Sequence, residues 1–379
     1  MKEFFSKPAV REALRITIAV GSALLLGFII TLFVSEDPFG AYKAFLLGPL
    51  SKFNRFGDWI EESITLILVG LSVAVAFRAN MFSMGTEGQL LMGALVSGSI
   101  ALFVPLPAIL RIPLAIVASM VAGFLWGWIP GYLKAFINAN EIVSTLMLNA
   151  IALKIYDYFL IFHIKAPDAG YNASDFFPTE GTLKSFIPNL PFLNKAFTLF
   201  SDKTNISIMV YVLIIAVIAA YYLIYKTPFG YRLRMVGGNI KFARYGGINT
   251  KKTMILVFAI SGLFGGLAGA HLSMGIHTKL IANISIGIGF EGIVVAILAR
   301  NNPLLIPITG LAYGYLRAGA NVMERSSDMS REMIFVIQAL IILFVTAERI
   351  MPMIQARVEE RKENDKNGNN ALPEGGDHV

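Results

Sequence analysis

An all-α, polytopic membrane fold of about ten transmembrane helices is the fold class this sequence predicts, and three observations predict it. Of the 379 residues, 55% are hydrophobic and only 15% charged, too few polar groups to cover a soluble globule of that size. Apolar stretches of spanning length recur along nearly the whole chain. Between them, the largest basic loop, Lys226 to Lys252, holds seven Lys or Arg and no Asp or Glu, the signature of a loop retained inside the cell.

The first span is Leu14 to Val34, 21 residues of almost unbroken apolar character. As a helix it measures about 31 Å, which matches the hydrocarbon core. Lys2, Lys7 and Arg11 precede it and no small-x-small cleavage site follows promptly, so it reads as an uncleaved first helix. Further spans are predicted near Ile60 to Phe77, Glu87 to Val104, Ile112 to Leu133, Ile142 to Phe162, Ile206 to Tyr225, Thr253 to Met274, Ile286 to Ala299, Pro303 to Val322 and Met333 to Ile350. Threaded alternately from a cytoplasmic N-terminus, these ten leave 19 Lys and Arg inside and 11 outside, with Lys154 and Arg317 within spans. That bias supports the orientation and puts both termini in the cytoplasm. The membrane domain then covers residues 1–350, with an external loop at 163–205 and an inner loop at 226–252. The tail, 351–379, is polar and rich in Gly and Asn, and is expected to be disordered. The external loop carries four lysines beside four acidic residues, and a loop of that length either has a task or is a disordered insertion.

Composition excludes several function classes. There is no cysteine, so disulfides, thiolate zinc sites and cysteine nucleophiles are absent. The net charge of +7 comes largely from loops beside apolar spans, where orientation explains it better than nucleic-acid binding. His163, His271, His277 and His378 show no metal-ligand spacing with carboxylates, so neither a metal nor another cofactor is expected. No GxxxxGK[ST] and no GxSxG occurs, and the histidines have no recognisable Ser and Asp frame. Energy for transport would have to come from an ion gradient, from a partner that consumes ATP, or from nothing, as in a channel.

Within the spans, glycines four apart (Gly262 and Gly266, Gly265 and Gly269, Gly123 and Gly127, Gly127 and Gly131, Gly310 and Gly314) predict helices in close contact, chiefly inside one bundle. Pro130, Pro303 and Pro307 predict broken or short helices. Polar residues at membrane depth mark function because they are costly there unless paired or wetted. The fifth span is densest, with Glu141, Ser144, Thr145, Asn149, Lys154 and Asp157; the last two are spaced to pair. Glu87 and Gln89, Glu291, Arg317, Asn321 and Gln338 extend the inventory.

The basic loop is more patterned than orientation requires. Pro228 and Gly230 punctuate its start, Gly237 and Gly238 interrupt it, and a short amphipathic helix is predicted around Ile240 to Tyr245, ended by Gly246 and Gly247. Such an element suits either the bilayer surface or a groove on a cytoplasmic protein.

Several stretches together resemble the permease subunits of bacterial ABC importers, in the branch that handles simple sugars and nucleosides, over roughly Ile60 to Glu348. FRANMFSMGTEGQLLMGAL from Phe77 is similar to the FNIGAEGQ segment of nucleoside-type permeases, departing at Ser83, Met84 and Thr86. NEIVSTLMLN from Asn140, TPFGYRLRMVGGN and ARYGGI of the basic loop, GFEGIVVAILARNNPL from Gly289 and REMIFVIQALIILFVTAE from Arg331 extend the match. The resemblance implies a non-catalytic subunit in a bacterial cytoplasmic membrane. It implies that the basic loop, through Arg232, Arg234, Ile240, Phe242, Arg244 and Tyr245, docks on a cytoplasmic ABC ATPase. It further implies a pathway shared with a second permease subunit, the same or a similar chain, and an extracytoplasmic substrate-binding lipoprotein that delivers nucleosides. Glu87, Gln89, Glu141 and Asn149 inherit candidacy for the translocation path, and Glu291 and Asn321 join them. Riboflavin or a simple sugar is the alternative cargo. A gradient-driven secondary transporter is the alternative class, with Glu291 or Lys154 and Asp157 as its ion-linked groups.

Overall fold

The computed structural model describes residues 21–343 except 23, 168–169, 179–180, 184–203, 205, 286, 331–332, 334, 338 and 341–342. The start of the first expected span, most of the tenth with Gln338, and the tail 351–379 lie outside the described residues. In a bilayer every backbone polar group must be satisfied within the protein, and helices do this locally. Accordingly, the described chain is mainly helical, and its only β pairing among the described residues is the isolated bridges Lys165–Ser174 and Ala173–Ile281.

The helices are α1 (Leu24–Val34), α2 (Pro38–Leu47), α3 (Phe53–Arg78), α4 (Thr86–Phe103), α5 (Ala108–Tyr132), α6 (Glu141–Phe159), α7 (Met209–Lys226), α8 (Pro228–Gly238), α9 (Ile240–Tyr245), α10 (Thr250–Ala270), α11 (Ile288–Leu298) and α12 (Ile306–Ser326). Wider π turns prolong α5 to Ile137, α6 to Ile164 and α10 to His277. Six helices among the described residues are long and apolar enough to cross a membrane: α3, α4, α7 and the prolonged α5, α6 and α10. The chain is therefore a multi-pass membrane protein, with six of the ten expected spans of full length.

Two expected spans take a different form. Ile286 to Ala299 contains an 11-residue helix, α11, about 17 Å long and so half a bilayer core. Gly287 at φ 76° turns the chain into it, and Arg300 and Asn301, at φ 52° and 54°, turn it out again. The expected ninth span, α12, has 21 residues but carries Arg317, Glu324 and Arg325. None of the three prolines breaks a described helix. Pro130 sits inside the continuous α5 and Pro307 in the first turn of α12, where a missing N–H costs nothing.

Residues Phe45 to Val322 form one compact unit. At its centre runs α3, buried at every position from Ser63 to Ala76. The helix α10 packs on α3, α4 and α5, and the glycines explain how closely. A Cβ on Gly262 would land on the Gly123 carbonyl, and one on Gly266 on the Ser119 carbonyl; only glycine lets these backbones touch. The expected intramolecular use of the glycine faces is thus what the helices do.

Part of the loop at 163–205 is anchored to the same unit. Ser174, Phe177 and Leu183 donate backbone N–H groups to Leu280, Thr278 and Met274 at 2.8, 2.9 and 3.1 Å, so this stretch is a strap laid over the chain beyond α10. The second compact unit holds residues up to Ala44 and from Met323 onward. In it, Phe28 packs edge-on against Phe39 and Tyr42, and Asp328 accepts from Glu36 N–H at 2.7 Å and Ser35 Oγ at 2.6 Å. Those two bonds hold the Asp328 carboxyl below the usual carboxylate range.

Candidate functional site

Four polar constellations stand out, all within the Phe45–Val322 unit. The first is the turn that opens α4. Its first turn carries Glu87, whose charge suits a helix N-terminus. Glu87 Oε1 accepts from Ser285 Oγ and from Gly287 N, both at 3.3 Å. Across the turn, Asn149 of α6 accepts from Gly88 N at 2.9 Å and donates to Met84 O at 2.8 Å. Thr145 Oγ1 accepts from Met84 N at 3.2 Å. The polar face of α6 thus clamps residues 84–88. Gln89 points the other way, 1% exposed, with its Oε1 accepting from Ser72 Oγ at 3.1 Å and Ser72 meeting Ser261 at 3.0 Å. Its Nε2, like Trp126 Nε1, is buried without a hydrogen-bond partner.

The second is an ion triad. Arg317 of α12 contacts Glu62 of α3 through Nε at 3.0 Å and Glu291 of α11 through Nη1. Tyr313 is buried one turn before Arg317 and Asn321 is half-buried one turn after it. Sequence reasoning singled out Glu291, Arg317 and Asn321 but passed over Glu62; the signal was the Glu61–Glu62 pair just inside a predicted span. The expected pair Lys154–Asp157 does not form. Lys154 is exposed on α6 and Asp157 half-buried.

The third constellation was not foreseen at all. His271, fully buried, meets Glu61 Oε2 through Nε2 at 2.8 Å and Thr65 Oγ1 through Nδ1 at 2.8 Å. Glu61 also accepts from Ser207 N at 2.6 Å and Ser207 Oγ at 3.1 Å. The connectivity of hydroxyl, imidazole and carboxylate resembles a nucleophile relay, yet Thr65 is 1% and Ser207 0% exposed, so no substrate reaches the hydroxyls. The group ties α3, the π turn after α10 and the entry to α7. His271→Ala leaves Glu61 buried with a lost partner and is expected to destabilise the protein by about 3–5 kcal/mol, read as a lowered melting temperature in detergent.

The fourth is the basic loop, which holds two helices where one was expected. Thr227 caps α8 by accepting from Gly230 N at 3.0 Å, and Pro228 follows as its first residue. Gly237, expected to interrupt the chain, lies inside α8, because its missing side chain lets the backbone rest on Arg78 and Ala79. Asn239 then caps α9, accepting from Phe242 N at 3.0 Å, and Gly246 and Gly247, the latter at φ 78°, end it as predicted. Of α9 only Ala243 is buried; Ile240, Phe242 and Tyr245 are 41%, 62% and 92% exposed, between the exposed Lys241 and Arg244. Arg232 is exposed as well, whereas Arg234 turns inward, over the Tyr225 ring at 5.6 Å and bonded to Ile224 O. Beside the α8–α9 junction lies a cleft of about 480 Å³. Glu141, a pathway candidate, lines it and pairs with Lys134 at 2.6 Å. The six pathway candidates therefore fall in two regions: Glu87, Gln89 and Asn149 gather about the start of α4, with Glu291 and Asn321 at the neighbouring triad, whose helix α11 rests on Glu87 through Gly289, while Glu141 stands by the basic loop. Among the described residues, no cluster of His, Asp and Glu could hold a metal ion.

The chain is 31% identical over 332 residues to the glucose ABC transporter permease protein TsgB13 of Haloferax volcanii, covering 87% of this chain and 86% of that one. It is 30% identical over 348 residues to the guanosine ABC transporter permease protein NupP of Bacillus subtilis, covering 92% and 97%. To the nucleoside ABC transporter permease protein NupB of Lactococcus lactis it is 30% identical over 354 residues, covering 93% and 95%. No solved structure matches. Residues 56–346 match the model of one family, from the first turn of α3 to beyond α12, so the chain belongs to the family described as branched-chain amino acid transport system / permease component.

Proposed function

We propose that this chain is the membrane subunit of an ATP-driven importer that carries nucleosides into a bacterial cytoplasm. In this reading it catalyses nothing itself: a cytoplasmic ABC ATPase hydrolyses ATP, an extracytoplasmic lipoprotein delivers the solute, and a second permease subunit completes the path. In this reading residues 1–350 form the membrane domain, with both termini and the tail 351–379 on the cytoplasmic side. The excess of Lys and Arg on the α8–α9 side supports that orientation.

The observation that carries the mechanism is the face of α9. Phe242 and Tyr245 stand out into solvent on a six-residue basic helix fixed at both ends by its caps. A short helix with two exposed aromatics and flanking cations is a knob for a groove on another protein. Closure of the ATPase around ATP would then shift α8 and α9, and through Gly237 on Arg78–Ala79 the end of α3, biasing the bundle between outward-open and inward-open states.

For the cargo, the support is the 30% identity to permeases of guanosine and of nucleosides over more than nine-tenths of the chain. The similar likeness to a glucose permease favours a simple sugar as the second reading. Proteoliposomes of the whole complex given labelled guanosine, riboflavin and ribose are expected to accumulate guanosine. Accumulation of ribose or riboflavin alone would reassign the cargo.

A further inference from the structure

Lys154 and Asp157 belong to none of the four constellations, and the helix that carries them leaves both charges in a costly place. With its π turn, α6 runs 24 residues from Glu141 to Ile164, about 35 Å. Lys154 stands about 20 Å from its first residue and about 15 Å from its last, at the middle of a hydrocarbon core of about 30 Å. Among the described residues neither side chain has an ion pair or a hydrogen bond. A lysine escapes the core by snorkelling when it sits near a helix end. Side chains on a helix also lean toward its N-terminal turns, which here points Lys154 away from the nearer surface.

The two charges lie on a patterned stripe. Val143, Met147, Ala150, Lys154, Asp157 and Ile161 follow at steps of four, three, four, three and four, the repeat that sets one face of a helix against a second, nearly parallel helix. Asp157 is half-buried and the other five are exposed, Val143 by 53% and Met147 by 63%. The opposite side of α6 is the one that packs on α4 and α5.

We infer that this stripe of α6 is the contact with a second copy of the chain, in which Lys154 of each copy pairs with Asp157 of the other. This rests on the transport reading above for the need of a second permease subunit, and names that subunit and the face it meets.

The charge pattern selects the occupant. In a two-fold contact, whatever one copy gives, it receives in return. At this repeat each side chain enters a hole made by four residues of the facing helix, and for Lys154 those include the facing Asp157. One copy therefore supplies both the carboxylate that Lys154 lacks and the ammonium that Asp157 lacks, at a depth where lipid offers neither. The two stand about 4.5 Å apart in height, a gap that a lysine stem covers. Between them and Met147, the small Ala150 lets two backbones approach.

Self-association of the full chain in proteoliposomes tests this. Lys154→Asp and Asp157→Lys are each expected to insert as the parent does and to self-associate at least about tenfold more weakly, because each variant sets like charges against one another. Mixed together, the two variants are opposite in charge at both positions, and differently tagged copies should pair as tightly as the parent. The natural lack of cysteine allows an independent measurement. Copies of Ala150→Cys should join through a disulfide on mild oxidation in the membrane, whereas Ile215→Cys, at a position 66% exposed on α7, should stay single. Unchanged self-association of both charge variants overturns the inference. Weakened association that mixing does not restore overturns it too, and assigns the stripe to a different chain. Where a charge variant fails to insert, absence of the Ala150→Cys disulfide overturns it by itself. All of these are measured without solute or ATP, so a complex that dimerises as stated but shows no ATP-driven uptake would remove the transport reading and leave the contact standing.

Discussion

Gly262→Val is expected to leave almost no folded protein. Its Cβ would fall on the Gly123 carbonyl, and a Cβ on Gly123 would in turn meet the Gly262 carbonyl and the Gly266 backbone. No flexible side chain can swing aside, so α10 and α5 must part along the face where they touch most closely. In lipid there is no hydrophobic drive to bring them back, because the tails are as apolar as the helices. Overpacking in an ordinary core costs about 1–3 kcal/mol, and a backbone-on-backbone clash should reach or exceed the upper end. The measurement is the fraction of protein that stays monodisperse in detergent on heating. Gly238→Ala, where an added Cβ meets nothing within 4 Å, should behave as the parent chain.

The second large effect is expected at α9. Replacing Phe242 and Tyr245 together by alanine should cut substrate-stimulated ATP hydrolysis and uptake by the assembled complex at least about tenfold, the scale of losing interfacial aromatic anchors. Thermal stability of the isolated chain should hardly move, since side chains 62% and 92% exposed contribute little to the fold. Arg244→Glu should act in the same direction by reversing the charge beside them. Arg234→Ala should do the opposite, lowering stability before coupling, because that side chain is folded back onto Tyr225 and Ile224. Normal transport by the Phe242→Ala, Tyr245→Ala double variant would remove the docking role from α9.

How much of this was legible in the sequence depends on how local the cause is. The helix Ile240–Tyr245 was read correctly because its stop signal, Gly246–Gly247, lies in sequence beside it. Its neighbour α8 was missed because Gly237 and Gly238 look like a break, and only the approach of Arg78 and Ala79, some 160 positions away, makes a glycine useful inside that helix. The half-length α11 was hidden for a similar reason. Its apolar run looks like a span, and what shortens it is backbone geometry at Gly287, Arg300 and Asn301. Asn149 was recognised as an important polar residue, but composition could not show that both ends of its amide are given to the backbone at Met84 and Gly88. The Glu61–His271 pair was invisible: its members stand 210 positions apart, and neither belongs to a motif. Arg317 was visible as a charge in a span, while its two partners could be named only once α3, α11 and α12 were in place.

The central claim is that this chain moves solute only when a separate nucleotide-hydrolysing partner drives it. The most direct measurement is accumulation of labelled guanosine in proteoliposomes prepared in two ways, with the chain alone under an imposed proton or sodium gradient, and with the chain joined by its ATPase, its permease partner and its binding protein under ATP. Uphill accumulation is predicted in the second preparation alone, and to stop when ATP is replaced by a non-hydrolysable analogue. Gradient-driven accumulation by the chain alone would contradict it.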